Sequence, residues 1–243
     1  MSPIAQIMRY RSQFLKKTFL VHLNHLKFRL NLQGVFTWTY QDALLRNITS
    51  EKQAHKITIL KSISMIIQFC GLSGSGKSTI AQRTAALLMQ QGHRVEILDG
   101  DEYRKVLCAD LGFSKEDRNT NIRRLAFVAS RLSAHGVITI ICAINPYEGI
   151  RNEVATTYPD VKTIFIDCDL QTLLNRDTKG LYHKALLPDT HPDKIRNLTG
   201  INDPFDIPHA PDLQLNTATE TEEESVARLM HFLSQSITKA PQV

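Results

Sequence analysis

The clearest chemical signal in the chain is a glycine-rich stretch that matches the phosphate-binding pattern G-x-x-x-x-G-K-[ST]. Glycines let the backbone curl until its N–H groups face an anion, and a following helix adds its positive N-terminal end. Lys77 can reach the outer phosphates of a nucleotide, and the Ser78 hydroxyl can bind Mg²⁺. The stretch predicts a triphosphate site made by Gly71, Leu72, Ser73, Gly74, Ser75, Gly76, Lys77, Ser78 and Thr79.

Two carboxylates, Asp99 and Asp101, follow the second predicted strand and face the phosphate loop in an α/β fold. One can hold Mg²⁺ through water, and the other can accept a proton from an attacking hydroxyl. Arg104, about one helical turn further on, can bind an anion. The same residues would also suit an ordinary helix N-terminus with a capping aspartate, so both interpretations stay open.

A second polar cluster begins at Phe113 and continues into a predicted helix capped by Ser114. Arg118 and Asn121 are three residues apart and therefore lie on one face of that helix. Such a pair can bind a phosphate, a sulfate or a ribose edge, while the ring of Phe113 can stack on a base. A solvated basic helix face with a phenylalanine in the core would show the same spacing.

Three further candidates follow later strands. Asn145 comes after the central strand, at a place where ligands often bind in such folds. Arg176 and Lys179 stand at the start of a long stretch, 177–211, and can balance charge during phosphoryl transfer. A turn that carries surface charges would explain each of them equally well.

These candidates need a scaffold, and the alternation of apolar runs with helical patterns after Met65 supplies one. The predicted strands are 65–70, 94–98, 137–143, 161–167 and 212–216, and the predicted helices are 77–91, 101–108, 115–134, 147–157, 170–176 and 222–236. This order predicts an α/β fold with a doubly wound, mainly parallel sheet of the P-loop NTPase or kinase type. The polar, proline-rich stretch 177–211 is expected to be a mobile lid outside the core.

Charge divides the chain into two parts. Residues 1–64 hold ten Lys or Arg and two acids, a net charge of +8, which leaves −3 for residues 65–243 because the whole chain carries +5. The basic balance therefore gives no indication that the main domain binds nucleic acid. No apolar run is long enough to span a membrane. The four scattered cysteines indicate reduced core residues of a cytosolic protein rather than disulfides or zinc ligands.

The predicted domains are a basic extension, 1–64, and a catalytic domain, 65–243. Three explanations of the extension stay open. It is a disordered or partly helical segment, an organelle-targeting segment, or upstream sequence translated from a wrongly chosen start. We favour the last, because Met65 opens directly onto the first predicted strand.

Together the motifs resemble adenylylsulfate kinase (APS kinase), over about residues 65–235 and in the family's order. The matching runs are Gly71 to Thr79, Leu98-Asp-Gly-Asp101 with Arg104, Leu111-Gly-Phe-Ser114 with Arg118, Asn121, Arg123 and Arg124, Arg176-Asp-x-Lys-Gly-Leu-Tyr182, and Thr199-Gly-Ile201 with Asp203-Pro-Phe205. Many kinases share the glycine-rich loop, whereas the later runs in combination are specific to this family.

The resemblance implies transfer of the γ-phosphoryl group of MgATP to the 3′-hydroxyl of adenosine 5′-phosphosulfate (APS). The product would be 3′-phosphoadenosine 5′-phosphosulfate (PAPS), made in sulfate assimilation. ATP and Mg²⁺ are the implied cofactors, APS is the implied small-molecule partner, and the protein is expected to be cytoplasmic. A homodimer and an association with ATP sulfurylase stay open.

The resemblance also implies a role for each site residue. Gly71 to Thr79 and Arg176 would bind ATP, Ser78 and Asp99 would hold the metal, and Lys77, Asp99 and Asp101 would be catalytic, with Asp101 preferred as the base. Arg104, Phe113, Arg118, Asn121, Asn145, Lys179 and Leu198 would bind the acceptor. The run Gly180-Leu181-Tyr182 is expected to contact substrate together with Lys179.

The chain departs from the family pattern at three places. Asn145 replaces a serine that is a phosphorylated intermediate in some members, so a covalent route is excluded there and direct transfer remains sufficient. Leu198 replaces a phenylalanine and removes one aromatic wall for adenine. The segment 187–194 is a few residues longer than usual.

Two alternatives to the APS kinase function stay open. The chain could be another small-molecule P-loop kinase or an inactive nucleotide-binding homologue.

Overall fold

The computed structural model describes residues 64–238. Within that range the strands are β1 (Met65–Cys70), β2 (Arg94–Asp99), β3 (Val137–Cys142), β4 (Val161–Asp167) and β5 (Leu213–Asn216). The helices are α1 (Lys77–Gln90), α2 (Gly100–Arg104), α3 (Lys115–Ser133), α4 (Glu148–Thr157), α5 (Leu170–Arg176), α6 (Leu181–Leu186) and α7 (Glu222–Thr238). The chain before residue 64, where the basic extension was predicted, lies outside the described residues.

The strands form one sheet in the order β2-β3-β1-β4-β5, and every neighbouring pair is parallel. All six residues of β1 are buried, as are five of the six in β3. A central strand of a parallel sheet needs such apolar character on both faces because helices cover both. The predicted doubly wound α/β fold is confirmed.

Two apolar layers hold helices against the sheet. One layer contains Leu88 of α1 and Leu229 of α7, and the other contains Leu125 of α3 and Ile150 of α4. The helix that follows β1 thus covers one face, and the helix that follows the neighbouring β3 covers the opposite face. A crevice opens between the carboxyl ends of two such strands, and this is where ligands bind in open α/β sheets.

The predicted elements match the observed ones to within two residues at each end, apart from one helix. The prediction of a helix over 101–108 is wrong beyond Arg104, where α2 ends and the chain turns. Val106, at the start of this turn, is 85% exposed, so little apolar burial supports a longer helix there.

The stretch 177–211 contributes to the core, and the prediction that it does not is wrong. It contains α6, and Tyr182, Ala185 and Leu198 pack with Leu173 in a third buried cluster. The Asp177 carboxylate accepts hydrogen bonds from the backbone N–H groups of Tyr182 (3.1 Å) and His183 (2.9 Å), which satisfies free donors at the start of α6.

The four cysteines, Cys70, Cys108, Cys142 and Cys168, are buried and free, as the sequence predicted. Among the described residues, no helix combines the length and the apolar character that crossing a membrane requires.

Candidate active site

The glycine-rich loop connects β1 to α1 and passes closely over β4. A Cβ atom on Gly71 would lie 2.3 Å from the backbone oxygen of Ile166, so only glycine fits there. Gly74 and Gly76 have φ angles of 77° and 91°, in the left-handed region that side chains disfavour. The glycine spacing in the sequence therefore reflects real backbone constraints of a phosphate-binding loop.

Lys77 lies folded over this loop. Its ammonium group donates hydrogen bonds to the backbone oxygens of Gly71 (2.9 Å) and Leu72 (2.6 Å), and the residue is 8% exposed. Burial lowers the pKa of Lys77 to about 8, and the positive charge of Lys179 adds to this effect. Phosphate oxygens of a nucleotide would give this buried cation the counter-charge that it lacks.

Ser78 and Asp99 could hold a metal ion. The Ser78 side chain is exposed, and its hydroxyl lies 3.6 Å from the Cys142 thiol at the end of β3. Asp99 caps α2, where Oδ1 accepts from the backbone N–H groups of Asp101 (2.9 Å) and Glu102 (3.3 Å). Because the cap uses Oδ1, Oδ2 is left for a water or a cation. The capping interpretation of Asp99 is thus correct, and it leaves the metal interpretation open.

No cluster of three or more His, Cys, Asp or Glu in the described range could hold a metal ion by itself. A hydroxyl and one carboxylate oxygen suit Mg²⁺, which is usually bound through few protein groups together with substrate phosphates and water.

Asp101 and Lys179 meet above the crevice. The Lys179 ammonium lies 3.0 Å from Asp101 Oδ2, and the two side chains are 57% and 78% exposed, respectively. The Arg176 guanidinium donates to the backbone oxygen of Thr217 (2.7 Å), just after β5. The cations predicted at the start of 177–211 therefore reach the carboxyl ends of other strands.

Phe113 presents a partly exposed ring close to two cations. The guanidinium carbons of Arg104 and Arg118 lie 4.9 Å and 5.6 Å from its ring centroid, and Phe113 is 54% exposed. The interpretation of Phe113 as a core residue is wrong. An exposed aromatic face flanked by guanidinium groups suits a planar base that carries an anionic group.

Arg118 is held by the protein on several sides. Its Nε donates to the backbone oxygen of Phe113 (3.0 Å), its Nη2 donates to that of Asn197 (2.6 Å), and the Asp203 carboxylate lies 3.4 Å from Nε. Asn121, one turn along α3, is 5% exposed, and its Oδ1 has no partner among the described residues. A ligand that supplies an N–H or O–H donor could satisfy that oxygen.

Asn145 and Leu198 are buried, at 1% and 7% exposure. Asn145 has a φ angle of 46°, and its amide donates to Gln68 Oε1 (3.1 Å). Its backbone oxygen accepts from Nη1 of Arg151 (2.8 Å), a fully buried arginine. The structure therefore places Asn145 in a buried polar network below the crevice.

Sequence reasoning missed several contacts that shape the site. The Tyr182 hydroxyl donates to the backbone oxygen of Ser73 (2.8 Å), and the Thr217 hydroxyl donates to that of Ser75 (3.0 Å). Tyr182 is 2% exposed, so its side chain lies against the loop rather than on the open surface. Thr217 directly follows β5, and a polar residue just past the carboxyl end of a strand could have marked it.

A cavity of about 620 Å³ lies beside the crevice, between the end of β4 and the segment 200–207. Leu72 and Asp203 line it, but Asp99, Asp101 and the Phe113 ring do not. We therefore place the candidate site in the open crevice, where the groups able to do chemistry converge.

Together, the parallel sheet, the glycine-rich loop and the carboxylates opposite it define a P-loop kinase. The chain matches the family model for adenylylsulphate kinase over residues 63–216. It belongs to the adenylylsulphate kinase family.

Several known proteins are similar to the chain. It is 42% identical over 176 residues to the adenylyl-sulfate kinase of Microcystis aeruginosa, an alignment that covers 72% of this chain and 94% of that protein. It is 44% identical over 170 residues to a probable bifunctional SAT/APS kinase of Sorangium cellulosum, with 70% of this chain and 28% of that longer protein covered. The structure of the Mycobacterium tuberculosis APS kinase in complex with AMPPNP and APS superposes with a TM-score of 0.66 at 36% identity, covering 71% of this chain and 98% of that one.

Proposed function

We propose that the protein transfers the γ-phosphoryl group of ATP to the 3′-hydroxyl of APS, and so produces PAPS and ADP. The observation that carries this proposal is the convergence of a phosphate loop, an exposed carboxylate and an aromatic ring close to two arginines. The phosphate loop would bind the nucleotide that donates the phosphoryl group. The ring and its two arginines would bind a second nucleotide that carries its own anionic group. A neutral sugar acceptor would need no such cluster.

On the donor side, we assign the ATP phosphates to the loop from Gly71 to Thr79 and to Lys77. Arg176 lies beside Thr217, where it can contact the nucleotide beyond the loop. Mg²⁺ would be held by Ser78 and by Asp99 Oδ2, and it would neutralise charge on the phosphate oxygens.

On the acceptor side, we assign the adenine of APS to the ring of Phe113 and its phosphosulfate to Arg104 and Arg118. Arg104 already donates through Nη1 to the backbone oxygen of Gly112 (2.8 Å), and Arg118 uses Nε and Nη2 internally. Both guanidinium groups are thus fixed before the ligand arrives, which lowers the entropic cost of binding. Asn121 would accept a hydrogen bond from the nucleotide.

In the reaction, the 3′-oxygen of APS forms a bond to the γ-phosphorus of ATP as the bond from that phosphorus to the β,γ-bridging oxygen breaks. We assign to Asp101 the proton that leaves the hydroxyl, while ADP departs with the electron pair of the broken bond. Lys179, which contacts Asp101, can balance negative charge on the transferring group. Asn145 has no hydroxyl, so the transfer is direct.

The test supplies the full chain with MgATP and APS and measures PAPS and ADP by chromatography, with Lys77→Ala as the matched control. We expect both products in equal amounts from the wild type. PAPS no greater than that of the control would reject the kinase proposal. If the chain forms no PAPS but binds ADP in a separate binding measurement, an inactive nucleotide-binding homologue is favoured.

We also propose a cytoplasmic location, a homodimer and an association with ATP sulfurylase. The last is supported by the similarity to a protein named as a bifunctional SAT/APS kinase. Light scattering of the purified chain, alone and mixed with ATP sulfurylase, tests the two assemblies. Cell fractionation tests the location.

A further inference from the structure

Two side-chain hydroxyls hold backbone oxygens of the phosphate loop. The Tyr182 hydroxyl donates to the backbone oxygen of Ser73 at 2.8 Å, across 109 residues of sequence. The Thr217 hydroxyl lies 3.0 Å from the backbone oxygen of Ser75 and 3.2 Å from that of Asp167. Its single hydrogen can serve one of these oxygens at a time, and Ser75 is the nearer.

Each contact fixes the direction of the backbone N–H of the residue that follows the bound oxygen. A trans peptide is planar, so its C=O and N–H groups point in opposite directions. When Tyr182 holds the Ser73 oxygen on one side, the N–H of Gly74 must point to the other. The same relation connects Thr217, the oxygen of Ser75 and the N–H of Gly76.

Neither N–H group donates to another group among the described residues. In the part of the chain that the structure describes, no oxygen accepts a hydrogen bond from the backbone nitrogen of Gly74 or Gly76. The neighbouring Ser75 N–H, by contrast, donates to the backbone oxygen of Leu72 (3.2 Å). Two oriented donors without a partner are what an anionic phosphate chain requires.

Tyr182 is well placed to impose this direction. It is 2% exposed, and Asp177 accepts hydrogen bonds from its backbone N–H, so both ends of the residue are fixed. Burial raises the pKa of Tyr182 to about 12, which keeps the phenol protonated and able to donate. Because Lys179 lies three residues earlier, the same segment also reaches Asp101.

We propose that Tyr182 and Thr217 are positioning residues, which act through the backbone of Ser73 and Ser75 to aim the N–H groups of Gly74 and Gly76 at the nucleotide phosphates. This rests on the proposed nucleotide site. The loop's glycines permit the required conformation, and the two hydroxyls select it. Tyr182 also joins the phosphate loop to the segment that carries Lys179.

The first test measures ADP affinity by calorimetry for the wild type, Tyr182→Phe and the control Tyr158→Phe. Tyr158 is partly buried and remote in sequence from the loop, and its hydroxyl makes no hydrogen bond within the described range. We expect Tyr182→Phe to weaken ADP binding about threefold to tenfold, the usual effect of one lost hydrogen bond. Tyr158→Phe should match the wild type.

A spectroscopic readout separates positioning from simple loss of stability. The backbone amide resonance of Gly74 should shift on ADP addition in the wild type, and this shift should shrink in Tyr182→Phe. Thr217→Val should weaken ADP binding and reduce the shift of Gly76, whereas Thr217→Ser keeps the hydroxyl and should restore both. The two Thr217 variants test the positioning of the loop even if Tyr182→Phe does not fold.

The two proposals fail in different ways. If the wild type binds no ADP, the proposed nucleotide site is wrong. If it binds ADP while Tyr182→Phe retains wild-type affinity and the full Gly74 shift, the role of Tyr182 is rejected. Equal affinity in Thr217→Val and Thr217→Ser rejects the role of Thr217.

Discussion

The Lys179 ammonium and the Asp101 carboxylate lie 3.0 Å apart, across 78 residues of sequence. Lys179 lies between α5 and α6, and Asp101 lies in α2 just after β2, so the contact spans the open end of the crevice. Both side chains are largely exposed, and such pairs contribute only about 0–1 kcal/mol to stability. A contact this weak can rearrange readily when a substrate enters between the two segments.

Replacement of Lys179 by Met should therefore reduce activity and leave stability unchanged. If the cation balances charge on the transferring phosphoryl group, kcat/KM should fall about 100-fold. Steady-state kinetics and a thermal melt would measure the two effects. Lys184→Met, which removes an exposed lysine from α6, is the matched control and should retain wild-type kinetics. Equal activity in the two variants would contradict a role for Lys179.

Asp101→Asn should affect the rate alone, whereas Asp99→Ala should also affect stability. Asp101 is exposed and caps no helix, so Asp101→Asn should lower kcat about 100-fold to 10,000-fold through loss of the base, with no change in the melting temperature. Asp99→Ala removes the cap of α2 and should cost about 1 kcal/mol of stability as well.

Kinetics as a function of Mg²⁺ concentration show which of the two carboxylates holds the metal ion. Asp99→Asn should raise the Mg²⁺ concentration required for half-maximal rate, while Asp101→Asn should leave it unchanged. The opposite pattern would exchange the two roles.

The sequence predicted the strands and the loop because their signals are local. The apolar run before Gly71 and the glycine spacing after it each depend on neighbouring residues, and the structure bears out both elements. The same holds for Ser114, which accepts from the Asp117 N–H (3.1 Å) as a helix cap should.

The parts that sequence reasoning missed depend on residues far apart in the chain. Nothing near Tyr182 indicates that its hydroxyl meets Ser73, and α6 has only six residues, too few to show a clear helical period. Arg151 resembles a surface residue of an amphipathic helix, yet it is buried because Asn145, Glu148 and Asp206 surround it with acceptors. Polar burial of this kind is fixed by tertiary partners.

Asp203→Asn should weaken acceptor binding through Arg118. The Asp203 carboxylate lies 3.4 Å from Nε of Arg118 and accepts from the Tyr147 hydroxyl at 3.1 Å. The two charged side chains are 20% and 9% exposed, so loss of the charge should loosen Arg118, which the two backbone oxygens alone would then hold. We expect KM for APS to rise about tenfold, with a smaller change in kcat and in KM for ATP.

Full kinetics with each substrate varied in turn would measure this change. Asp189→Asn removes an 89% exposed carboxylate from the segment after α6 and serves as the control. Equal rises in both KM values would instead indicate general damage to the fold.

The pKa of Lys77, lowered to about 8 by burial, predicts a specific pH dependence. The unfolded chain keeps a lysine pKa near 10.4, so between about pH 8 and pH 10.4 it binds a proton that the folded, ligand-free protein lacks. The stability contributed by this group therefore rises with pH across that window. Nucleotide phosphates favour the charged form, so ADP binding should take up a proton there and weaken as the pH rises above 8.

Calorimetry of ADP binding at pH 8.5, in two buffers with different ionisation enthalpies, measures that proton uptake. Lys77→Arg is the control, because a guanidinium stays protonated in this range and should show no uptake. Uptake of the same size in the variant would place the titrating group elsewhere.

Asn145→Ser would install the residue that the family often has at this position, and it should destabilise this chain. The Asn145 amide donates to Gln68 Oε1 (3.1 Å) in a fully buried network, and serine is too short to keep that bond. An unsatisfied buried acceptor costs about 1–3 kcal/mol. The φ angle of 46° adds to the loss, because the left-handed region suits asparagine better than serine.

Chemical denaturation of Asn145→Ser, with the exposed Asn152→Ser on α4 as control, should show this difference in the free energy of unfolding. The wild type should also take up no covalent label from ATP that carries a radiolabelled γ-phosphate, because an amide offers no hydroxyl to phosphorylate. A stable label mapped to Asn145 would contradict direct transfer. A variant as stable as the wild type would mean that the buried network tolerates serine, and that asparagine is not required by the fold.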